Sequence, residues 1–332
     1  MANRYLRAGQ RAAGKVEQAV RAVAKPLRAY GFPYRAPSVP RGMVVPAKPP
    51  KLGPDYDTEW ARRPLARAAR NLIAEGPLRL AIKGLASPEV VGLDRLADLV
   101  NLDHPPPVIF APNHHSHIDT GLMIRSIPTC WRRDLVVAAA ADYFFDKSWK
   151  AAISALALNA IPIDREVTNR KSSEMFRDLV ADGNSLLIYP EGGRSPDGWG
   201  QSFKGGAAYL SARTGAPVIP VFIDGTGVIF GKGMKRPKPG RTKVVFGAPL
   251  VPAEDENTRR FNARIEAAVT RLGDEALTDY WSATKRAARG KNPSLAGPEY
   301  NGWRRAWKLS EQRQLGSAGL RRRQNRRWPN LG

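Results

Sequence analysis

The chain of 332 residues carries 53 Lys and Arg against 30 Asp and Glu, a formal net charge of +23, with 42% hydrophobic residues. That is enough length and apolar content for one large domain with extensions. A single cysteine excludes an intrachain disulfide and fits a reducing compartment. The sequence shows neither a run of the roughly 18 to 20 apolar residues that span a bilayer nor a charged start followed by an apolar stretch and cleavage site.

Residues 1–35 hold eight cations against Glu17. Val16, Val20, Val23 and Leu27 fall on one helical face, with Arg21, Lys25 and Arg28 beside it, and such a basic amphipathic helix suits an anionic lipid surface. Residues 36–57 are rich in proline and lysine and read as a linker, so 1–57 form an extension. The leucine-rich stretch 60–85 predicts helical segments broken at Gly76-Pro77 and lying at a membrane interface.

Strand-like runs at 108–111, 135–139, 160–163, 185–189, 218–223 and 244–246 then alternate with helix-like runs at 148–158, 172–181 and 205–213. An amphipathic helix with Phe261, Ile265, Val269 and Leu272 closes the compact part. The pattern predicts an α/β domain over 58–282, a mixed central sheet flanked by helices, with basic helical extensions at both ends. Residues 283–332 form a basic tail in which Trp303, Trp307 and Trp328 stand among arginines. Basic ends with aromatics also suit nucleic acid, but that reading leaves the central motifs unexplained.

The first motif, Asn113-His114-His115-Ser116-His117-Ile118-Asp119, follows the strand at 108–111. A carboxylate five positions from an imidazole can hold it in one tautomer, so His114 can take a proton while Asp119 stabilises the imidazolium. With no protein nucleophile beside it, such a pair activates a hydroxyl carried by the substrate, which fits acyl transfer to an alcohol. The bland alternative is a histidine-rich loop with one hydrogen-bonded core ring. Zinc is the competing chemistry, but three histidines within four positions and the lone Cys130 make a poor ligand set, and no metal site is expected. Downstream, Ala160-Ile161-Pro162-Ile163-Asp164-Arg165 ends a strand on a charge pair. The run Leu186 to Ser195 ends another at a glycine turn carrying Arg194, and Ala216-Pro217-Val218-Ile219-Pro220-Val221 opens a third. Guanidinium groups and a glycine turn suit a phosphate, and Lys204 can add a cation.

Taken in order, these four runs resemble the glycerolipid acyltransferase family, whose best-known members are the 1-acylglycerol-3-phosphate acyltransferases; the likeness covers about residues 90 to 250. The resemblance implies that His114 is the general base and Asp119 its orienting partner. Asn113 and Ser116 complete the first block, Arg165 closes the second, Glu191, Gly192 and Arg194 form the third, and Pro220 marks the fourth. The second and third blocks are associated with the glycerophosphate acceptor. Gly193 stands where threonine is frequent, Tyr189 where phenylalanine is, and Ala160 and Ile161 near a usual glycine and aromatic. The implied reaction moves a fatty acyl group from acyl-CoA or acyl carrier protein to a lysophospholipid hydroxyl, foremost 1-acylglycerol-3-phosphate, giving phosphatidic acid. A glycolipid or a lysolipid lacking phosphate is the alternative acceptor. No cofactor beyond the donor substrate and no nucleic acid partner are expected. The expected location is peripheral, on an anionic membrane surface at its cytoplasmic face.

Overall fold

The computed structural model describes residues 56–163 and 170–297, together with Gly53, all within one compact unit. The expected amphipathic helix of residues 1–35, most of the linker, Arg165 and the Trp/Arg-rich tail lie outside the described residues.

Seven strands form one sheet: β1 (Pro88–Val91), β2 (Ile109–Pro112), β3 (Leu135–Ala140), β4 (Ala160–Ile163), β5 (Ser185–Leu187), β6 (Val218–Asp224) and β7 (Thr242–Phe246). Their order is β1-β7-β6-β2-β5-β3-β4. β6, β2, β5, β3 and β4 run parallel; β7 pairs antiparallel with β6 and parallel with β1, so the sheet is mixed, as the sequence leads one to expect. Adjacent residues of the inner strands go to opposite apolar layers. Ile109, Leu186 and Val218 face one layer with Phe176, Phe261 and Ile265, while Phe110, Leu187 and Ile219 face the other with Leu122, Met123 and Trp131.

The stretch 60–85 differs from its expectation. Helix α1 (Pro64–Ile73) passes through a π turn (Ala74–Leu78) into α2 (Arg79–Ala86) without a break. The wider π turn accommodates the missing N–H and bulky ring of Pro77, which an α turn would not. Buried Arg70 fastens α1 through Nε to the Leu156 carbonyl at 3.0 Å, in helix α3 (Ser148–Leu158), and through Nη2 to the Ala61 carbonyl. Burial pushes this guanidinium down to about 10.

Helix α4 (Asp119–Ser126) begins inside the first motif, which the sequence shows only as a loop. Helices α5 (Arg170–Ala181) and α6 (Gly206–Thr214) stand close to the expected spans. The long helix α7 (Thr258–Leu277) is capped by Asn257, which accepts the Arg260 N–H at 2.9 Å, and it buries Phe261, Ile265, Val269 and Leu272 completely. The packed region runs past the expected boundary at 282. Helix α8 (Tyr280–Ala288) is locked to α7 by a fork from Arg286 Nε and Nη2 to the two oxygens of Asp274, both 2.6 Å, and Arg286 holds that carboxyl below its ordinary range.

Candidate active site

Because β2 and β5 are parallel neighbours, the segments leaving their carboxyl ends emerge side by side. β6 flanks β2 on the other side, so the connections of the sheet diverge at β2, where open α/β sheets form ligand crevices. From β2 comes the segment 113–119; from β5 comes the turn 188–195.

His114 Nδ1 lies 2.9 Å from Asp119 Oδ2. A carboxylate oxygen can only accept here, so Nδ1 donates and Nε2 is the basic nitrogen left for a substrate. Asp119 is fully buried and opens α4, at the positive end of the helix dipole. Its Oδ2 also accepts the backbone N–H groups of His115 and Ser116, both at 2.8 Å. These bonds shape the turn so that the side chain five positions on meets the ring.

Segment 188–195 holds the same histidine from the other side. Glu191 accepts the His114 N–H at Oε1 and the Gln201 N–H at Oε2, each 2.9 Å, and the Ser195 N–H donates to the His114 carbonyl at 2.8 Å. Tyr189 stacks on the imidazole with ring centroids 4.0 Å apart and planes 25° apart, and its hydroxyl meets Thr120 Oγ1 at 3.1 Å. Burial pushes that phenol well above its ordinary value. Gly192 adopts φ +71°, and a Cβ there would lie 2.8 Å from both Cε and Nζ of Lys204. The left-handed backbone favours glycine, and the flexible end of the lysine occupies the space it leaves.

A cavity of about 560 Å³ opens at these residues, within the size range of ligand sites. Its lining brings His114, Gly192, Gly193, Arg194, Lys204 and Lys232 together with apolar residues, Val137 to Ala140 of β3, Phe144, Leu158, Ile163, Phe176 and Leu210. His117 also lines it, its imidazole pushed down to about 4 by burial and then by the Arg194 charge. His115 is likewise lowered by burial, and its Nε2 is buried without a partner. Among the described residues no three or more His, Cys, Asp or Glu side chains group as metal ligands.

His114, Gly192, Arg194 and Lys204 therefore meet at one cavity, with Asp119 directly behind His114. Asn113, Ser116, Glu191 and Pro220 do not line it. Buried Asn113 exchanges two hydrogen bonds with the backbone of Ile223, at 2.9 and 2.6 Å. Ser116 Oγ donates to the Phe230 carbonyl at 2.7 Å, and the Pro220 ring packs where a Cβ on Gly247 would meet it at 2.8 Å. These four side chains fix backbone instead. Thr120, Lys232 and the alanines of β3 were not singled out by sequence; the alanine run was the available signal, since small residues on a core strand leave room beside it.

The Acyltransferase family model matches residues 89–224. Over 149 residues the chain is 30% identical to a 1-acyl-sn-glycerol-3-phosphate acyltransferase of Chlamydomonas reinhardtii, covering 44% of this chain and 43% of that protein. It is 46% identical over 74 residues to a chloroplastic enzyme of the same name from Brassica napus, 22% of each chain. It is also 29% identical over 152 residues to the alpha form of Mus musculus, 43% of this chain and 50% of that one. The chain thus spans half or less of the length of these curated relatives. The crystal structure of the 1-acyl-sn-glycerophosphate (LPA) acyltransferase PlsC from Thermotoga maritima is 24% identical, with a TM-score of 0.47, covering 67% of this chain and 84% of that one.

Proposed function

The domain of residues 89–224 belongs to the acyltransferase family, and on that premise we propose that the protein moves a fatty acyl group from a thioester donor to the free hydroxyl of 1-acylglycerol-3-phosphate, forming phosphatidic acid. The observation that carries this reading is one cavity lined both by cations and by apolar side chains, with His114, backed by Asp119, in its wall. Arg194 and Lys204 suit the acceptor phosphate, and Arg165 is assigned the same role from its motif. The apolar lining suits an acyl chain.

In this scheme Nε2 of His114 takes the hydroxyl proton as the substrate oxygen attacks the thioester carbonyl. The tetrahedral intermediate collapses, the carbon–sulfur bond breaks, and the departing thiolate receives the proton from His114. Asp119 stabilises the imidazolium in between. The scheme uses no metal and no organic cofactor; the donor is consumed as a substrate.

We place the reaction at a membrane surface. Leu65, Leu72 and Leu80 of α1 and α2, with Trp149 and Ile153 of α3, are among the most exposed large apolar side chains. Arg63, Arg67, Arg79 and Lys83 are exposed on or beside the same helix pair, and the combination fits peripheral contact with an anionic leaflet such as a cytoplasmic face. No helix among the described residues is long and apolar enough to cross a membrane.

A donor-by-acceptor assay with purified protein in lipid, read by mass spectrometry, tests the proposal. Phosphatidic acid from 1-acylglycerol-3-phosphate is the expected product. Equal turnover of a glycolipid or a lysolipid lacking phosphate overturns the acceptor assignment, and retention on single-stranded DNA without any acyl transfer overturns the enzyme reading.

A further inference from the structure

Between the short helix Thr226–Phe230 and β7, residues 231–241 carry Lys232, Lys235, Arg236, Lys238 and Arg241 and no acidic residue. All five cations are exposed, and four of them, Lys235, Arg236, Lys238 and Arg241, lie outside the cavity lining and have no role in the transfer chemistry. The loop is nonetheless built into the site. Its root is tied to the first motif by Ser116, which donates to the Phe230 carbonyl and pairs with Gly231 as an isolated bridge. Its far end is fixed by the Lys238 N–H to the Ile229 carbonyl and the Gly240 N–H to the Leu85 carbonyl, both 2.9 Å. A Cβ on Gly240 would lie 2.8 Å from the Ile229 side chain, so the return of the loop is closely packed. Positive charge therefore leads outward from the cavity wall, where Lys232 stands, along a backbone held beside the catalytic histidine.

None of the exposed large apolar side chains falls within 231–241, in contrast to α1, α2 and α3. Cations and backbone donors without apolar side chains suit a small polyphosphate; an anionic bilayer would draw the same cations electrostatically, and assays without lipid separate the two. We infer that this loop holds the phosphates of a nucleotide-linked acyl thioester, the coenzyme A class of donor, and delivers the thioester past Lys232 to His114. The inference rests on the acyl-transfer reading above and specifies the donor for the same cavity.

The test uses the full chain and the variant Lys235→Gln/Arg236→Gln/Lys238→Gln, none of which belongs to the catalytic machinery. Calorimetry with adenosine 3′,5′-bisphosphate supplies a readout independent of turnover: the intact chain should bind it and the variant should not. In lipid-free assays with short-chain acceptor, the variant's KM for acyl-CoA should rise about tenfold and the rise should shrink with added salt. Its kcat, its acceptor KM and its turnover of an acyl-pantetheine thioester lacking the nucleotide should be unchanged. An unaltered KM for acyl-CoA overturns the inference, as does a deficit confined to vesicle assays, which assigns the loop to the membrane. Use of an acylated carrier protein alone, with no bisphosphate binding, overturns it too. If no donor is turned over, the transfer reading has failed, and bisphosphate binding that the variant loses still supports the loop as a nucleotide site.

Discussion

At His114 the ring, the backbone N–H and the backbone carbonyl are each held by a different residue: Asp119, Glu191 and Ser195. Such fixing makes the imidazole a poor choice for a structural filler and a good one for a base. His114→Ala should lower kcat by at least the roughly 10² to 10⁴-fold that positioned general-base catalysis supplies, with Asp119→Asn strongly impaired as well. Turnover within a few-fold of the intact protein in His114→Ala ends that assignment. His117 carries a different expectation. Its folded-state value of about 4 lies below the ordinary imidazole value, so between the two the unfolded chain binds a proton that the folded chain refuses. Stability therefore falls as pH drops from about 6.5 toward 4, and His117→Gln should remove that part of the slope. Urea midpoints of the two proteins should converge near neutral pH, with the variant gaining on the wild type under acid; a difference independent of pH excludes the effect. The His114–Asp119 pair was legible in the sequence because it is local. The meeting of Gly192 with Lys204 was not, because a left-handed backbone turn brings together residues whose spacing carries no periodic signal.

Among the elements, α1 and α2 form one helical stretch carrying Leu65, Leu72 and Leu80 outward, 87%, 75% and 71% exposed. Three leucines so exposed on one helical stretch gain burial free energy when a nonaqueous surface covers them. Leu72→Ser with Leu80→Ser should weaken binding to anionic vesicles by roughly tenfold per leucine withdrawn from the bilayer. Activity on monomeric short-chain acceptor should be retained. Loss of both activities alike would assign these leucines to the fold. The long strands and helices were readable because their apolar periods are strong; α7 was legible in its four fully buried positions. β1 left no such trace, being a four-residue edge strand with Glu89 exposed. α4 was hidden because its first residue, Asp119, belongs to a polar run whose chemistry reads as a loop. The π turn at Pro77 was misread as a break, since a sequence shows the missing donor but not the wider turn that absorbs it.

For the molecule as a whole, the net charge of +23 is an expectation about partners. Each cation near an anionic bilayer is worth about 1 kcal/mol, screened over a Debye length of roughly 8 Å at physiological salt. Removing residues 1–35 together with those beyond Asn301 should therefore lower sedimentation with anionic liposomes more than either truncation alone. Unchanged sedimentation of the doubly truncated chain would leave contact to the leucine face of α1 and α2. Fold class was legible from the alternation of strand and helix runs; strand order was not, because pairing depends on contacts between segments far apart in sequence. That order has a metric consequence. β2, β5, β3 and β4 are successive parallel neighbours, and at about 4.8 Å per step the ends of β2 and β4 stand roughly 14 Å apart. The cavity follows this direction, from His114 after β2, past the alanines of β3, to Ile163 closing β4. A chain lying in it is thus measured across the strands, with β3 as an intermediate graduation. Filling that graduation with Ala138→Leu should shift the accepted acyl chain to shorter lengths while short-chain turnover persists, a change visible in the product distribution by mass spectrometry. An unshifted distribution would mean that the chain lies elsewhere.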